Sequence, residues 1–379
     1  MKQLLIRNLK IYFKNKSGVF FSLLGVIVIF ALFVLFIGNA VKDRLHVIGN
    51  VDTNNLLNYW MLSGMLSSVP LTSCLGAYAV MVSDKENKQL KDLYVAPVSK
   101  SVIMTSYLLT GIIVSVIMSL CVLVFGQSYV LIKGGSLINW QNGLLVVAVI
   151  LLTCFMSNAI VCFVILFIKN NNAFTTISII IGTLVGFLVG AYVSIGTLPS
   201  AVQWVIKAFP NAYSAGLFRQ YFMTKELDNI QANLIVIDNL NNSIKALNDS
   251  ASLSQSQLMI LNSSLDSAID LSKNIKLADN SNAEIASKLT EIKTILNSGN
   301  YDDAYLKDTA TYLASVDKYL GSAWFEAWRT NFEVNIGMVY QYGDYKLNSY
   351  WYYLIITTVG LVFYVLSSLI IVKKPKSMR

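Results

Sequence analysis

Six stretches of this chain hold no Asp, Glu, Lys, Arg or His: residues 18–40, 59–82, 102–125, 143–168, 174–195 and 350–372. Each exceeds the roughly 18–20 apolar residues that carry a helix across a bilayer, where every backbone polar group must be satisfied internally. The expected fold class is therefore an all-α polytopic membrane protein with six transmembrane helices. Composition agrees, with 55% hydrophobic residues, 13% charged residues and a mean hydropathy of +0.57. A soluble chain carries charge on about a quarter of its residues. The first run is too long for the core of a cleavable signal and no small-residue cleavage site follows it, so it is expected to remain as span 1.

The formal charge of +8 hides a division. Residues 225–349 hold 16 acidic and 10 basic side chains, which leaves 5 acidic and 19 basic elsewhere. Of those 19, 14 lie in 2–16, 83–100, at Lys169 and in 373–379. The bias of basic residues toward the cytoplasm puts these segments inside, and with them both termini. Short loops beside apolar spans account for the basic residues, so nucleic acid is not an expected partner. The organisation follows: 1–17 an interfacial amphipathic helix, 18–224 spans 1–5, 225–335 a helical extracytoplasmic insert between spans 5 and 6, and 336–379 span 6 with a basic tail.

Between spans 2 and 3 lies a short charged island, 83–101. Leu90, Leu93 and Tyr94 fall at i, i+3, i+4 and make one apolar stripe on a short helix. Pro97 ends it, because the residue before proline is pushed out of the α region. Such a helix either docks a partner or is a solvated loop resting on headgroups. The opening segment reads similarly: Leu5, Leu9 and Tyr12 lie on one face and Arg7, Lys10 and Lys14 on the other. It is either an interfacial helix against anionic lipid or a plain basic tail.

In span 5, Gly182, Gly186 and Gly190 recur at intervals of four, a pattern that lets another helix approach closely in lipid. Packing is the default reading and a substrate path along that face the alternative. Residues 225–335 contain no proline, and their apolar residues recur at helical period around Ile237–Leu247, Leu258–Ile269, Ile285–Leu296 and Leu306–Leu320. Four amphipathic helices of this kind bury their stripes against one another. The insert either grips a partner or substrate or covers a gate. The aromatic run 325–353 is expected to return the chain to the bilayer as an interfacial belt.

No GxxxxGK[S/T] phosphate loop occurs, nor Gly-x-Ser-x-Gly or His-Glu-x-x-His. Cys74, Cys121, Cys154 and Cys162 lie singly in apolar runs and are expected to be buried structural residues. His46, the lone histidine, has no second ligand beside it. Spans without ionisable groups argue against a proton- or ion-coupled carrier and favour an external energy source.

Asp84-Lys85-Glu86, then Leu90, Leu93 and Pro97-Val98-Ser99, resemble the cytoplasmic loop of ABC-2 type transporter permeases. The family often has glycine near the position held here by Lys88. The segment 197–224, with Leu198-Pro199, an apolar helix, Pro210-x-x-Tyr213 and Arg219, resembles the family's stretch after span 5, a re-entrant helical gate in the outer leaflet. The resemblance implies that Asp84, Glu86, Leu90, Leu93, Tyr94 and Pro97 couple the chain to an ABC ATP-binding subunit, and that the N-terminal helix cradles that subunit. It implies that spans 1 and 5 meet a second permease, the same or a sister chain, and that Pro199, Pro210, Tyr213 and Arg219 form the outer gate. ATP and Mg would be bound by the partner subunit, with no cofactor on this chain and no catalytic residue in it. The implied function is the membrane subunit of an ATP-driven exporter in the bacterial plasma membrane, moving a drug, a lipid-linked molecule or a peptide toxin. A non-transporting surface receptor or scaffold built on the insert is the competing class.

Overall fold

The computed structural model of the chain describes residues 1–37, 53–95, 97–168, 170–248, 255–274, 282–299, 301–302, 304–305, 307–309, 311–312 and 322–373. Helices α1 (Lys2–Lys14) and α2 (Lys16–Leu32) are separated at Asn15, whose side chain accepts the N–H of Gly18 and so caps α2. A π turn, Phe33–Ile37, continues α2. Then come α3 (Thr53–Glu86), α4 (Gln89–Val95), α5 (Lys100–Ile132), α6 (Trp140–Ile165) and α7 (Asn171–Leu188). A 3-10 turn, Ile195–Thr197, leads to α8 (Ser200–Ala208) and α9 (Pro210–Asn248). The insert adds α10 (Gln255–Asn274), α11 (Asn282–Ser298) and α12 (Ser322–Asn335). A two-stranded hairpin, β1 (Gln341–Tyr342) with β2 (Tyr345–Lys346), precedes α13 (Ser349–Lys373).

Among the described residues, Asn55–Glu86, Ser101–Ile132, Trp140–Ile165, Asn171–Leu188 and Ser349–Ile370 are long and apolar enough to cross a membrane. The expected first span appears as the shorter apolar stretch Ser22–Phe36, and the rest of 18–40 lies outside the described residues. The chain is an integral membrane protein. Helices α3 and α5, at 34 and 33 residues, rise about 50 Å, against a hydrocarbon core of roughly 30 Å. Tilt or protrusion takes up the excess.

Two expectations need correcting. Span 5 stops at Leu188, short of Ile195, because Gly190 takes φ +65° and turns the chain. Only Gly182 and Gly186 of the glycine series are therefore helical. Cys121 is exposed, on the outer face of α5, while Cys74, Cys154 and Cys162 are buried.

The described residues fall into two compact units. One comprises Met1–Ile37, Asn58–Phe222 and the segment from Val334 onward. In it α3 is the most enclosed span, α6 packs on α5 and α13, α1 on α5 and α2, and α2 on α7. A methyl group on Gly25 would lie 3.3 Å from the carbonyl of Gly182, so α2 and α7 touch backbone to backbone there. The second unit includes Met223–Glu333. There α10 and α11 pack together, burying Leu261, Leu265 and Ile269 with Ile285, Leu289, Ile292 and Leu296. Arg329 pairs with Asp228 at 2.9 Å and Glu333 at 2.8 Å. The side chains of 237–247 and most of the expected fourth insert helix lie outside the described residues.

Candidate functional site

At the loop end of the spans, the last turn of α3 is gripped from three directions. Asp84 is only 4% exposed. It accepts two parallel bonds from Arg7 of α1, at 2.7 and 2.9 Å, and a third from the Tyr107 hydroxyl of α5 at 2.5 Å. A planar, bidentate guanidinium–carboxylate pair fixes orientation as well as distance. The hydrogen bond to Asp84 pushes the Arg7 pKa up, so the guanidinium stays charged. Arg7 also donates to Gln89, the first residue of α4, at 3.2 Å. Next along, Lys85 donates to the carbonyl of Ile168 and Glu86 accepts from Asn171, which ties α3 to the turn between α6 and α7.

Only two residues, Asn87 and Lys88, separate α3 from α4. Lys88 holds φ +62° and breaks the helix between them. Leu90 then turns inward and is 8% exposed, Leu93 is half-buried, and Val95 at the end of α4 stands out at 87% exposure. Pro97 is exposed. The side chain of Tyr94 lies outside the described residues. Of the loop residues singled out from sequence, Asp84 and Leu90 are thus buried, while Glu86 is exposed and bonds to Asn171. Tyr107 and Val95 were not singled out, and Arg7 was read only as part of the basic face of the N-terminal helix. Arg7 and Asp84 are 77 positions apart, and Val95 lies off the Leu90–Leu93 stripe; the signal within reach was an acidic residue beside an apolar span, which needs a partner.

The segment 197–224 is built around a buried cation. Arg219 on α9 is wholly buried and donates to the carbonyls of Val189 (2.8 Å), Gly190 (2.9 Å) and Gly337 (3.2 Å). Val189 and Gly190 close the C-terminal end of α7, where unpaired carbonyls carry partial negative charge. Tyr213 donates to the carbonyl of Lys207 and meets the Tyr342 hydroxyl, both at 2.6 Å. Lys207 in turn donates to the Gln341 carbonyl at 2.6 Å, its ammonium over the rings of Trp204 and Tyr342. Pro199 precedes α8 and Pro210 opens α9, where a missing N–H costs nothing. In α8 itself Ile206 is buried, while Val202 and Val205 are exposed.

Between these ends the span interior is polar but uncharged. Pro70 interrupts the α3 ladder. Nearby, the Ser67 carbonyl accepts from Asn211 of α9 at 3.0 Å, and the Ser67 hydroxyl donates back to the Asn211 carbonyl. The same amide reaches Ser157 on α6 at 3.0 Å. Asn158 joins Ser115 of α5 at 2.9 Å and the Cys154 carbonyl at 2.7 Å. Among the described residues no group of His, Cys, Asp and Glu is placed to hold a metal ion.

No curated protein and no solved structure matches the chain. The family model for ABC-2 type transporters matches residues 1–223, which covers α1 to α8 and the start of α9. That span includes the Arg7–Asp84–Tyr107 cluster, helix α4 and Arg219, and it exceeds half of the chain. The chain belongs to the ABC-2 type transporter family, as a membrane permease component.

Proposed function

We propose that this chain is the permease subunit of an ATP-driven exporter, and that the ATP-binding subunit docks on α4 and on the outer face of α1. The observation that carries the reading is Val95: a large apolar side chain, 87% exposed, at the tip of a short helix beside the family's loop. An apolar group so displayed gains when a partner covers it, by about 1.5–3 kcal/mol for a valine-sized side chain. In this arrangement the loop and both termini are cytoplasmic, in the bacterial plasma membrane. ATP and Mg sit on the partner, and a second permease, the same or a sister chain, lies against α2 and α7. Interior groups such as Ser67, Ser157, Asn158 and Asn211 are polar without charge, which suits a hydrophobic or amphipathic cargo: a drug, a lipid-linked molecule or a peptide toxin.

The test is co-purification of the full chain in mild detergent with its ATP-binding subunit. Val95→Asp alters an exposed position and leaves the fold intact, so the expected result is an inserted permease that has lost at least tenfold of its bound ATPase. Undiminished recovery of the ATPase with Val95→Asp would remove α4 as the docking element.

A further inference from the structure

Arg7 brackets the hinge. One guanidinium bonds to Asp84 before the Asn87–Lys88 turn and to Gln89 after it. The helix is interrupted at that two-residue link, where Lys88 takes φ +62°. The side-chain bonds bridge it. Through Tyr107 the same carboxylate reaches α5, seven residues in from Lys100. Three elements (α1, α3 and α5) therefore meet at one buried anion, and α4 joins them through Arg7.

We propose that the Arg7–Asp84–Tyr107 joint passes movement of α1 and α4 on to spans α3 and α5, with Arg7 as its positioning residue. This rests on the docking reading above. A bidentate pair cannot rotate without breaking both bonds, so a displacement of α1 carries the end of α3 with it. Tyr107 extends the constraint to α5. Arg7 needs no contact with the partner for this role, which separates it from Val95.

The experiment uses the full chain with its ATP-binding subunit in liposomes, with Cys121→Ser removing the exposed thiol. The readout is the reaction rate of Ile132→Cys, an exposed position at the far end of α5, with a maleimide, with and without ATP. ATPase retention and ATP hydrolysis are measured in parallel. In the parent chain ATP is expected to change the labelling rate severalfold. With Arg7→Met the ATPase should stay bound and hydrolysing while the ATP-dependent change is lost, and Arg7→Lys should recover part of it. The exchange Arg7→Asp with Asp84→Arg should recover more than either single change. Tyr107→Phe, which removes one hydroxyl and keeps the ring, should reduce the change two- to fivefold even if Arg7→Met fails to insert.

A full ATP-dependent change in Arg7→Met or Tyr107→Phe would overturn the proposal, as would its absence from the parent complex while ATP is hydrolysed. Loss of the ATPase from Arg7→Met would make Arg7 a docking residue, overturning the joint and leaving the docking reading standing. Failure of the docking reading would show separately, as ATPase retention by Val95→Asp.

Discussion

Lys88 sits in the left-handed region at φ +62°, which no other non-glycine residue among those described adopts. A side chain there costs roughly 1–2 kcal/mol through contact between Cβ and the following carbonyl. Glycine would remove that strain, at about 0.5–1 kcal/mol of extra unfolded-chain entropy. Lys88→Gly is therefore expected to stabilise the protein by about 0.5–1 kcal/mol, read as a small rise in the thermal midpoint in detergent. A fall would mean that the lysine makes a compensating contact. Asp84 marks the limit of reading residues in sequence. An acid flanking an apolar span announces a need for a partner, but not that the partner is Arg7, because nothing local connects positions 77 apart. Leu90 and Val95 are both apolar residues of one short helix. Their opposite fates, 8% against 87% exposed, follow from their lying on different faces of α4; periodicity separates the two faces but does not say which one turns inward.

At the scale of elements, the spans were legible because runs of uncharged residues leave a chain no other option in lipid. Their ends were not. The glycine interval in span 5 reads as a continuous face, yet Gly190 serves as the turn that lets Arg219 reach two carbonyls. Interhelical spacing was equally hidden. A methyl group at Gly111 of α5 would overlap the Asn158 carboxamide oxygen on α6 and approach the Tyr78 ring to 3.3 Å. Asn158 is held by Ser115 and the Cys154 carbonyl and cannot swing aside without losing both bonds. Gly111→Ala is thus expected to destabilise by about 1–3 kcal/mol, as overpacking does. Thermal unfolding in detergent, with Asn158→Ala as a second background in which most of that cost should disappear, checks the assignment.

For the whole molecule, the distribution of basic residues predicts orientation, and the structure supplies exposed positions at which to test it. Val95 at the loop end and Leu137, between α5 and α6, are both exposed. In intact cells a membrane-impermeant maleimide is expected to modify Leu137→Cys and to reach Val95→Cys only after permeabilisation. The reverse pattern would invert the topology and place the loop where no ATP-binding subunit could meet it.

The position of Pro70 along α3 has a mechanical consequence. It stands 17 residues from Thr53 and 16 from Glu86, so the two arms are nearly equal, about 25 Å each at 1.5 Å per residue. A beam pivoted at its midpoint neither amplifies nor attenuates. If α3 rocks at the proline, an ångström of travel at Glu86 returns as about an ångström of opposite travel at the other tip. Asn211, bonded at Ser67 beside the fulcrum, would barely move. Such a geometry favours inversion of a displacement over its enlargement.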